Sequence, residues 1–380
     1  MAKEQTHLDY KDTINFGGYY TPDHLVDMVY NMLRRNIPDM LAHKVIDTSC
    51  GYGNFLREQN SIGADCDKFA IEQAASNSPD GCMFFHHNSL QNVRRDQYCL
   101  NNNDKIIIVG NPPYNDTTSI IRNEIKHEIC GIDADLRHRD MGISFLLSYN
   151  KLGADYICVL HPLSYLIKKA NFDSLGNFKN NYKLIDSVIV SSGEFSATSK
   201  TTQFPIVIAL YKRGKGMDYE FIKNYEFRTD NVKAFKLSQF DRLCNYITKY
   251  PNQRFVEQKD AAAFFWTMRD INALKRTRTF TEKEVRNSIR VARDKLALYC
   301  YADIFKDYAA HIPYYFGNSD IPIDKKKFDA IADMFLVTAL RKYKFLSHLL
   351  PPGHENINYD MAIHQYFKDL LGEYYVDKKD

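Results

Sequence analysis

The sequence has 380 residues, which is longer than one ordinary domain, and its 44% hydrophobic and 26% charged residues are typical of a globular protein. No apolar run approaches the roughly 18 residues of a membrane-spanning helix, and the first seven residues do not resemble a signal peptide. The eight cysteines are scattered without a Cys-x-x-Cys pair. This pattern argues against a zinc ribbon or a disulfide scaffold, and it predicts reduced thiols in a cytoplasmic protein.

The net charge of +3 is distributed unevenly along the chain. Residues 1–210 carry 20 Lys and Arg against 24 Asp and Glu, a net charge of −4, whereas residues 211–380 carry 30 against 23, a net charge of +7. An acidic part followed by a basic part favours a catalytic domain joined to a domain that binds a polyanion. The small, polar stretch 213–216 is typical of a linker, so we predict domains at 1–212 and 213–380.

The first 210 residues alternate helical and strand patterns. Thr21 is the expected N-cap of the first helix, with Pro22 at its first position. Further helices are expected through Ile71 and Ala75 and over residues 143–150. The expected strands, of which the last two form an antiparallel edge pair, are residues 44–47, 62–65, 83–85, 105–109, 156–160, 187–190 and 205–211. This order predicts an α/β fold, a doubly wound Rossmann-like sheet that binds ligands at the carboxyl ends of its strands.

The C-terminal part predicts a smaller, mainly helical domain. Over residues 282–304 we expect one helix with an apolar stripe, formed by Val285, Ile289, Ala292 and Leu296. A basic stripe beside it is either a solvated face or a row of phosphate contacts. The candidate DNA-binding residues, including three just upstream of that helix, are Lys275, Arg276, Arg278, Lys283, Arg286, Arg290 and Arg293.

A Gly-rich turn follows the first predicted strand, in the order Asp47, Gly51 and Gly53. The two glycines let the backbone approach a ligand closely. A dinucleotide-binding loop would have a third glycine where Leu56 stands, and no lysine follows as a phosphate-binding loop requires. Asp47 would repel a pyrophosphate and attract an ammonium group, so the turn favours a ligand with an amino-acid head.

Asp65 ends the second predicted strand, where nucleoside-binding α/β folds place an acid that holds the ribose hydroxyls. Asp67 lies two residues later and is the alternative candidate. Either carboxylate could instead serve only as a strand-end or helix-capping group.

The sequence Gly-Asn-Pro-Pro-Tyr directly follows the strand at residues 105–109. The two prolines fix the backbone and remove amide donors, which leaves carbonyl groups facing outward. The Asn111 carboxamide oxygen and the Pro112 carbonyl can accept both protons of an –NH2 group, and the Tyr114 ring offers a stacking surface. An exocyclic amine is a poor nucleophile, so two acceptors that favour a tetrahedral nitrogen would prepare it for methyl transfer.

Over residues 15–212 these motifs resemble the amino-methyltransferases of restriction–modification systems, specifically the gamma class of adenine-N6 DNA methyltransferases. The motif at residues 16–22 resembles the family's N-terminal cofactor motif, and Asn88 stands where many relatives carry an aspartate that binds the cofactor's adenine. Phe195 is similar to the aromatic residue that meets the other face of the flipped base, with Phe204 as a substitute. The resemblance implies S-adenosylmethionine as cofactor, held by Tyr20, Thr21, Asp47, Gly51, Gly53, Asp65, Asn88 and Asn111.

The resemblance further implies that duplex DNA is the substrate and that a flipped adenine lies against Asn111, Pro112, Tyr114 and Phe195. It allows a separately encoded restriction endonuclease as a partner and a prokaryotic or phage origin, and it implies neither a metal nor a membrane. Enzymes with the same tetrapeptide also methylate a glutamine amide of a protein or, occasionally, cytosine N4. The basic C-terminal part and Asn111 favour DNA adenine. A DNA-specificity subunit with an inert methyltransferase domain is the remaining alternative.

Overall fold

The computed structural model describes residues 20–114, 131–195, 203–251, 256–353 and 357–377. The chain divides into two compact units, Met1–Lys236 and Leu237–Asp380. This division lies 24 residues beyond the boundary between residues 212 and 213 that the sequence predicts. The difference arises because the chain folds back after residue 213: the Gly214 and Met217 amides each donate a 2.8 Å hydrogen bond, to the Asn181 and Lys179 carbonyl oxygens respectively.

Seven strands form one mixed sheet in the first unit, in the order β3-β2-β1-β4-β5-β7-β6. The first five are parallel, and β7 runs antiparallel to both of its neighbours. The prediction of a doubly wound α/β sheet with an antiparallel edge pair is therefore confirmed. The strands are β1 Lys44–Asp47, β2 Ile62–Asp65, β3 Met83–His86, β4 Ile106–Gly110, β5 Tyr156–Pro162, β6 Tyr182–Ser191 and β7 Pro205–Arg213.

Helices flank this sheet. They are α1 Asp23–Asn36, α2 Lys68–Asn77, α3 Met141–Leu152, α4 Ser164–Ile167, α5 Lys169–Ser174, α6 Asn177–Asn181 and α7 Tyr219–Asn224. In α1 the residues Leu25, Val29 and Leu33 recur at helical spacing and are buried, so this face packs into the core with Ile107 of β4. Thr21 does not cap α1, contrary to the prediction, because Pro22 occupies the capping position and its side chain accepts no hydrogen bond.

The first unit ends in a short hairpin of β8 Phe227–Arg228 and β9 Ala234–Phe235. It lies beside β6, because Thr229 forms a parallel bridge with Ile189. No sequence pattern predicted this hairpin.

The second unit is mainly helical, as the sequence predicts, and it also contains small sheets. Its sheets have the strand orders β12-β11-β13 and β10-β14. The strands are β10 Asp241–Arg242, β11 Ala261–Trp266, β12 Phe280–Thr281, β13 Ser288–Ala292 and β14 Pro322–Ile323. The helices are α8 Ile271–Arg276, α9 Leu296–Tyr308, α10 Lys325–Ala330, α11 Ala332–Leu340 and α12 Asp360–Leu371. Among the described residues of both units, no helix has the length and apolar character needed to cross a membrane.

The predicted helix over residues 282–304 is wrong in its first half. Ser288–Ala292 forms strand β13, and the helix begins only at Leu296. Ile289 and Val291 are buried while Arg290 between them is partly exposed, so this segment follows the period of two that belongs to a strand. The apolar and basic stripes therefore do not exist as helical faces.

Candidate functional site

The carboxyl ends of β1, β2 and β4 lie side by side and bring the predicted motifs to one edge of the sheet. Strand β1 pairs with β2 on one side and with β4 on the other. The chain passes from β1 to β2 and β3 on one side and then crosses to β4 on the other side of β1. The strand order reverses at this point, so a crevice opens at this edge, as in other doubly wound folds. The Gly-rich turn follows β1, Asp65 ends β2, and Asn111 directly follows β4.

The Gly-rich turn is closely packed. The Cys50 amide donates to the Ala64 carbonyl oxygen at 2.9 Å, and the Gly53 amide donates to the Cys50 carbonyl oxygen at 2.8 Å. Gly53 has φ +84°, and a Cβ there would lie 2.7 Å from Ser78 Oγ. A side chain at residue 53 would thus be strained and would also collide with the end of α2.

Asp47 is a buried carboxylate, 1% exposed, at the centre of this edge. Its Oδ1 accepts a hydrogen bond from the Ser49 amide at 3.0 Å. Burial, together with a smaller contribution from the nearby charge of Asp65, raises the pKa of Asp47 to about 8. Within the described residues no Lys, Arg or His forms an ion pair with Asp47, so the site holds a buried acid without a cationic partner.

Gly110 allows the end of β4 to approach Asp47. Its φ is +142°, and a Cβ would lie 2.7 Å from Asp47 Oδ1. The carboxylate therefore faces the start of the Asn-Pro-Pro-Tyr sequence.

Asp65 supports the Gly-rich turn. Its Oδ2 accepts the Gly51 amide at 2.9 Å, and its Oδ1 accepts the Asp67 amide at 3.0 Å. Burial raises the pKa of Asp65 as well. Asp67, the alternative candidate, is the N-cap of α2 and accepts the amides of Phe69 and Ala70. Of the two acids, only Asp65 adjoins the turn.

Asn88 lies in the loop after β3, and its Oδ1 accepts the Leu90 amide at 3.0 Å. A carboxamide oxygen has two lone pairs, so one acceptor position remains for a ligand.

Asn111 joins three motifs that are far apart in the sequence. Its Nδ2 donates to Thr21 Oγ1 at 3.1 Å, and Asn54 Nδ2, from the end of the Gly-rich turn, donates to the Thr21 carbonyl oxygen at 3.3 Å. Thr21 itself is buried, and Tyr20 beside it is partly buried. Residues 16–19 of the N-terminal motif lie outside the described residues.

The Asn111 Oδ1 atom is buried and accepts no hydrogen bond from the described residues. Buried polar atoms in native proteins are nearly always paired. The amide nitrogen of Asn111 holds the side chain in place, and its oxygen accepts no hydrogen bond from the described residues. This oxygen is therefore suited to a ligand that brings a hydrogen-bond donor.

Tyr114 is partly buried and packs against the core cluster that includes Phe195. Behind it lies an arrangement that the sequence analysis missed. Tyr165 donates a short hydrogen bond to Asp140 Oδ1, which also accepts the Gly142 amide at 3.1 Å. A Cβ on Gly142 would lie 2.5 Å from the Tyr165 hydroxyl oxygen and 3.1 Å from Tyr114 Cβ. Gly142 thus separates the two tyrosines. The Asp-x-Gly sequence at the start of α3 was the signal that could have indicated this arrangement.

Phe195 is 2% exposed and belongs to the hydrophobic core. Phe204 packs against the same cluster but is only partly buried. Of these two aromatic candidates, Phe204 has surface available for a ligand.

The predicted DNA-binding residues lie in the second unit, and they do not share one helix face because Arg290 belongs to strand β13. Arg290 is held by Glu284 at 2.7 Å and donates to the Val256 carbonyl oxygen at 3.2 Å, so it already has partners. The Arg278 guanidinium lies 4.2 Å from the Trp266 ring centre. Burial lowers the pKa of Lys275. The predicted cations that are exposed are Arg276, Arg278, Lys283, Arg286 and Arg293.

No protein-family model and no curated protein matches this sequence. Solved structures of similar fold include a protein assigned as an RNA methyltransferase from Pyrococcus horikoshii, at 13% identity and TM-score 0.38, covering 53% of this chain and 88% of that one. A protein assigned as a class I S-adenosylmethionine-dependent methyltransferase from Listeria monocytogenes has 16% identity and TM-score 0.39, covering 55% and 65%.

A third similar structure is the methyltransferase subunit of a type I restriction–modification system from Streptococcus thermophilus. It has 13% identity and TM-score 0.40, covering 59% of this chain and 48% of that subunit. This chain thus spans less than two thirds of two of these three proteins. Likenesses of this size do not extend an activity to this chain, and its function rests on its own site residues.

Proposed function

We propose that this protein is an S-adenosylmethionine-dependent DNA methyltransferase that methylates the N6 amine of a flipped adenine. The observation that carries the proposal is the buried, unpaired Oδ1 of Asn111 at the carboxyl end of β4. An exocyclic –NH2 group supplies the donor that this oxygen lacks, and the adjacent Pro112 carbonyl supplies a second acceptor.

The residues at the ends of β1 and β2 fit S-adenosylmethionine. Asp47 is a buried acid that an ammonium group would stabilise in its ionised form. Gly51 and Gly53 adopt the positive φ angles of the turn, whose backbone would approach the ligand, and Asp65 has acceptor capacity for the ribose hydroxyls. Bound S-adenosylmethionine would supply a sulfonium-activated methyl group, whose transfer breaks the carbon–sulfur bond, leaves its electron pair on sulfur and releases one amine proton to solvent.

The residues around Asn111 would orient the substrate. Asn111 and the Pro112 carbonyl hold both amine protons, which directs the nitrogen lone pair away from the ring. Tyr114 stacks on the base, and the other face of the base meets Phe204 in preference to the buried Phe195. Stacking of this kind contributes about 1–3 kcal/mol per base, which offsets much of the cost of rotating the adenine out of the duplex. Catalysis is then mainly positioning.

DNA is favoured over a glutamine amide because the chain carries a second unit of its own. With the observed division, that unit carries 23 Lys and Arg against 19 Asp and Glu, a net charge of +4. Its exposed cations, among them Arg276, Lys283 and Arg286, would contact phosphates and give salt-dependent affinity. In this proposal the protein is a cytoplasmic modification enzyme of a restriction–modification system, with the nuclease encoded separately.

Cofactor affinity should increase with pH because of Asp47. Without the cofactor, burial keeps Asp47 protonated up to about pH 8. A bound ammonium group favours the ionised form of Asp47, so cofactor binding below about pH 8 releases a proton. Between about pH 6 and pH 7 the ligand's own α-amino group stays largely protonated, and the Kd should fall by up to tenfold. Isothermal titration calorimetry in two buffers of different ionisation enthalpy measures both the Kd and the released proton.

The Asp47→Asn variant, which has no group to titrate at this position, serves as the control and should bind with a Kd independent of pH over this range. A wild-type Kd that does not change with pH, or binding without proton release, would contradict the assigned role of Asp47.

The substrate class is tested by offering the purified protein S-adenosylmethionine labelled in its methyl group together with plasmid DNA, bulk RNA and bacterial protein. We expect label in the DNA fraction. Label in protein would favour methylation of a glutamine amide. Cofactor binding without transfer to any fraction would favour an inert specificity subunit.

A further inference from the structure

The β8–β9 hairpin and its turn, residues 227–235, lie at the same edge of the sheet as Asn111. Strands β5 and β6 are both antiparallel to β7, so β6 runs in the direction of β5 and therefore of β4. The bridge between Thr229 and Ile189 is parallel, and the Asp230 amide donates to the Ile189 carbonyl oxygen at 3.1 Å. The chain at Thr229 therefore runs toward the edge where β4 ends, and the turn lies at that edge.

The strand register gives the position of this turn along the strand direction, relative to the end of β4. The β5 residue that pairs with Gly110 lies two positions before His161. His161 of β5 pairs with Val207 of β7, which pairs with Ile189 of β6. Thr229 continues this row through its bridge to Ile189. The turn is thus level with Pro112, two residues beyond Gly110. Four strand spacings separate β4 from the hairpin, about 19 Å, which is the length of five to six base pairs of DNA.

The hairpin is anchored in the core. Phe227 and Phe235 are fully buried, and their ring centres lie 5.7 Å apart. The Thr229 amide donates to the Lys233 carbonyl oxygen at 2.8 Å, and Thr229 Oγ1 accepts the Lys233 amide at 3.1 Å. A turn closed by these bonds on a buried base holds its tip in a fixed position.

Val232 lies at the tip of the hairpin, and its surroundings in the protein do not explain why a valine stands there. It is 81% exposed and has φ +62°, in the left-handed region. Three-residue hairpin loops place glycine at this position, because a β-branched side chain is strained there. An apolar side chain held outward at a strained position indicates a contact outside the chain.

The charge around the hairpin favours DNA as that contact. Residues 227–236, which form the hairpin and its end, carry Arg228, Lys233 and Lys236 against Asp230, a net charge of +2. The rest of the first unit, residues 1–226, carries 24 Lys and Arg against 27 Asp and Glu, a net charge of −3. Asp230, the acidic side chain of the turn, accepts the Asn231 amide at 3.0 Å.

We propose that the tip of the β8–β9 hairpin, with Val232 at its apex, contacts the groove of duplex DNA beside the target base. This inference rests on the proposed DNA substrate. The Val232 methyl groups would pack against base edges such as thymine methyl groups, or against a partly opened base step, while the neighbouring cations contact the phosphates.

Two substitutions test the contact without disturbing the turn, because both new residues accept a positive φ: Val232→Gly and Val232→Asn. Their melting temperatures should equal or exceed that of the wild type. The control is Leu41→Asn, since Leu41 is 91% exposed but precedes β1 and so lies at the opposite edge of the sheet. DNA binding is measured by fluorescence anisotropy in the presence of the cofactor analogue sinefungin. The probes are fluorescein-labelled DNA duplexes of mixed sequence, no longer than about ten helical turns.

The expected result is a Kd for duplex DNA about tenfold weaker in both Val232 variants and unchanged in the Leu41 variant, with wild-type cofactor affinity in all three. Equal DNA affinity of wild type and Val232→Asn would overturn the contact. Equal affinity together with a changed oligomeric state would assign the tip to a second copy of the chain and also overturn it. Because binding is measured without turnover, a protein that binds DNA through Val232 but transfers no methyl group would contradict the proposed activity and leave this contact supported.

Discussion

Replacing Asn111 with alanine is expected to lower kcat for DNA methylation by about a hundredfold to a thousandfold. The substitution removes the buried acceptor that has no partner in the described chain, and with it the group that aligns the substrate amine. Cofactor affinity should weaken by no more than about fivefold, because Asn111 contributes one hydrogen bond, to Thr21, on that side of the site. Single-turnover methyl transfer and cofactor titration measure the two effects separately.

Asn54→Ala is the matched control, since Asn54 also donates to Thr21 but offers no acceptor beside Pro112. It should retain kcat within about fivefold. Equal losses of kcat in the two variants would show that support of Thr21, and not the Asn111 oxygen, matters to catalysis. A fully active Asn111→Ala protein would contradict the proposed site.

The Gly142→Ala variant should lose about a hundredfold in kcat although residue 142 touches no substrate. Its new methyl group would lie 2.5 Å from the Tyr165 hydroxyl oxygen and 3.1 Å from Tyr114 Cβ. Since Tyr165 is buried and held by Asp140, the 2.5 Å clash has to be relieved by a shift of residue 142 toward Tyr114, by about 1 Å. That shift displaces Tyr114, and a displacement of about 1 Å at a reacting site is enough for a loss of this size. Steady-state kinetics with plasmid DNA measure kcat and KM separately.

Gly214→Ala provides the comparison, because a Cβ at residue 214 would meet no atom within 4 Å. That variant should keep wild-type kinetics. If Gly142→Ala were equally active, Tyr114 would not depend on the packing around Gly142. If Gly142→Ala lost cofactor binding and thermal stability as well, the substitution would have disturbed the whole unit, and the assigned role of Gly142 would be wrong.

The sheet and the position of the site could be predicted from the sequence for identifiable reasons. Strand β4 is apolar throughout, which is typical of a parallel strand covered on both faces. The prolines at 112 and 113 have no amide protons and cannot extend that strand, so they fix where it ends. Ligand groups that follow parallel strands meet at one edge, and Asp47, Asp65 and Asn111 do so here.

Other features could not be predicted because several patterns fit the same residues. In Ser288–Ala292 the spacing of Ile289 and Ala292 matches a helix, while the alternation of Ile289, Arg290 and Val291 matches a strand. Pairing with β11 stabilises the strand conformation, and β11 is about 25 residues away in the sequence. The contact of Gly142 with Tyr114 and Tyr165 likewise joins three distant segments that no local pattern relates.

The division of the chain into two compact units lies beyond the predicted boundary for a similar reason. Gly214 and Gly216 are typical of a linker, but Gly216 has φ +73° and a Cβ there would lie 2.4 Å from the Asn180 carbonyl oxygen. This glycine serves a tight reversal against the first unit, and composition alone does not distinguish such a turn from a linker.

The most direct test of the central claim is the identity of the methylated nucleoside. Plasmid DNA labelled by the wild-type protein from S-adenosylmethionine is digested to nucleosides, and the label is located by chromatography for wild type and Tyr114→Ala. We expect label in N6-methyldeoxyadenosine for the wild type and its loss in the variant. Label in N4-methyldeoxycytidine, label that Tyr114→Ala retains in full, or no label in DNA would contradict the proposed adenine methylation.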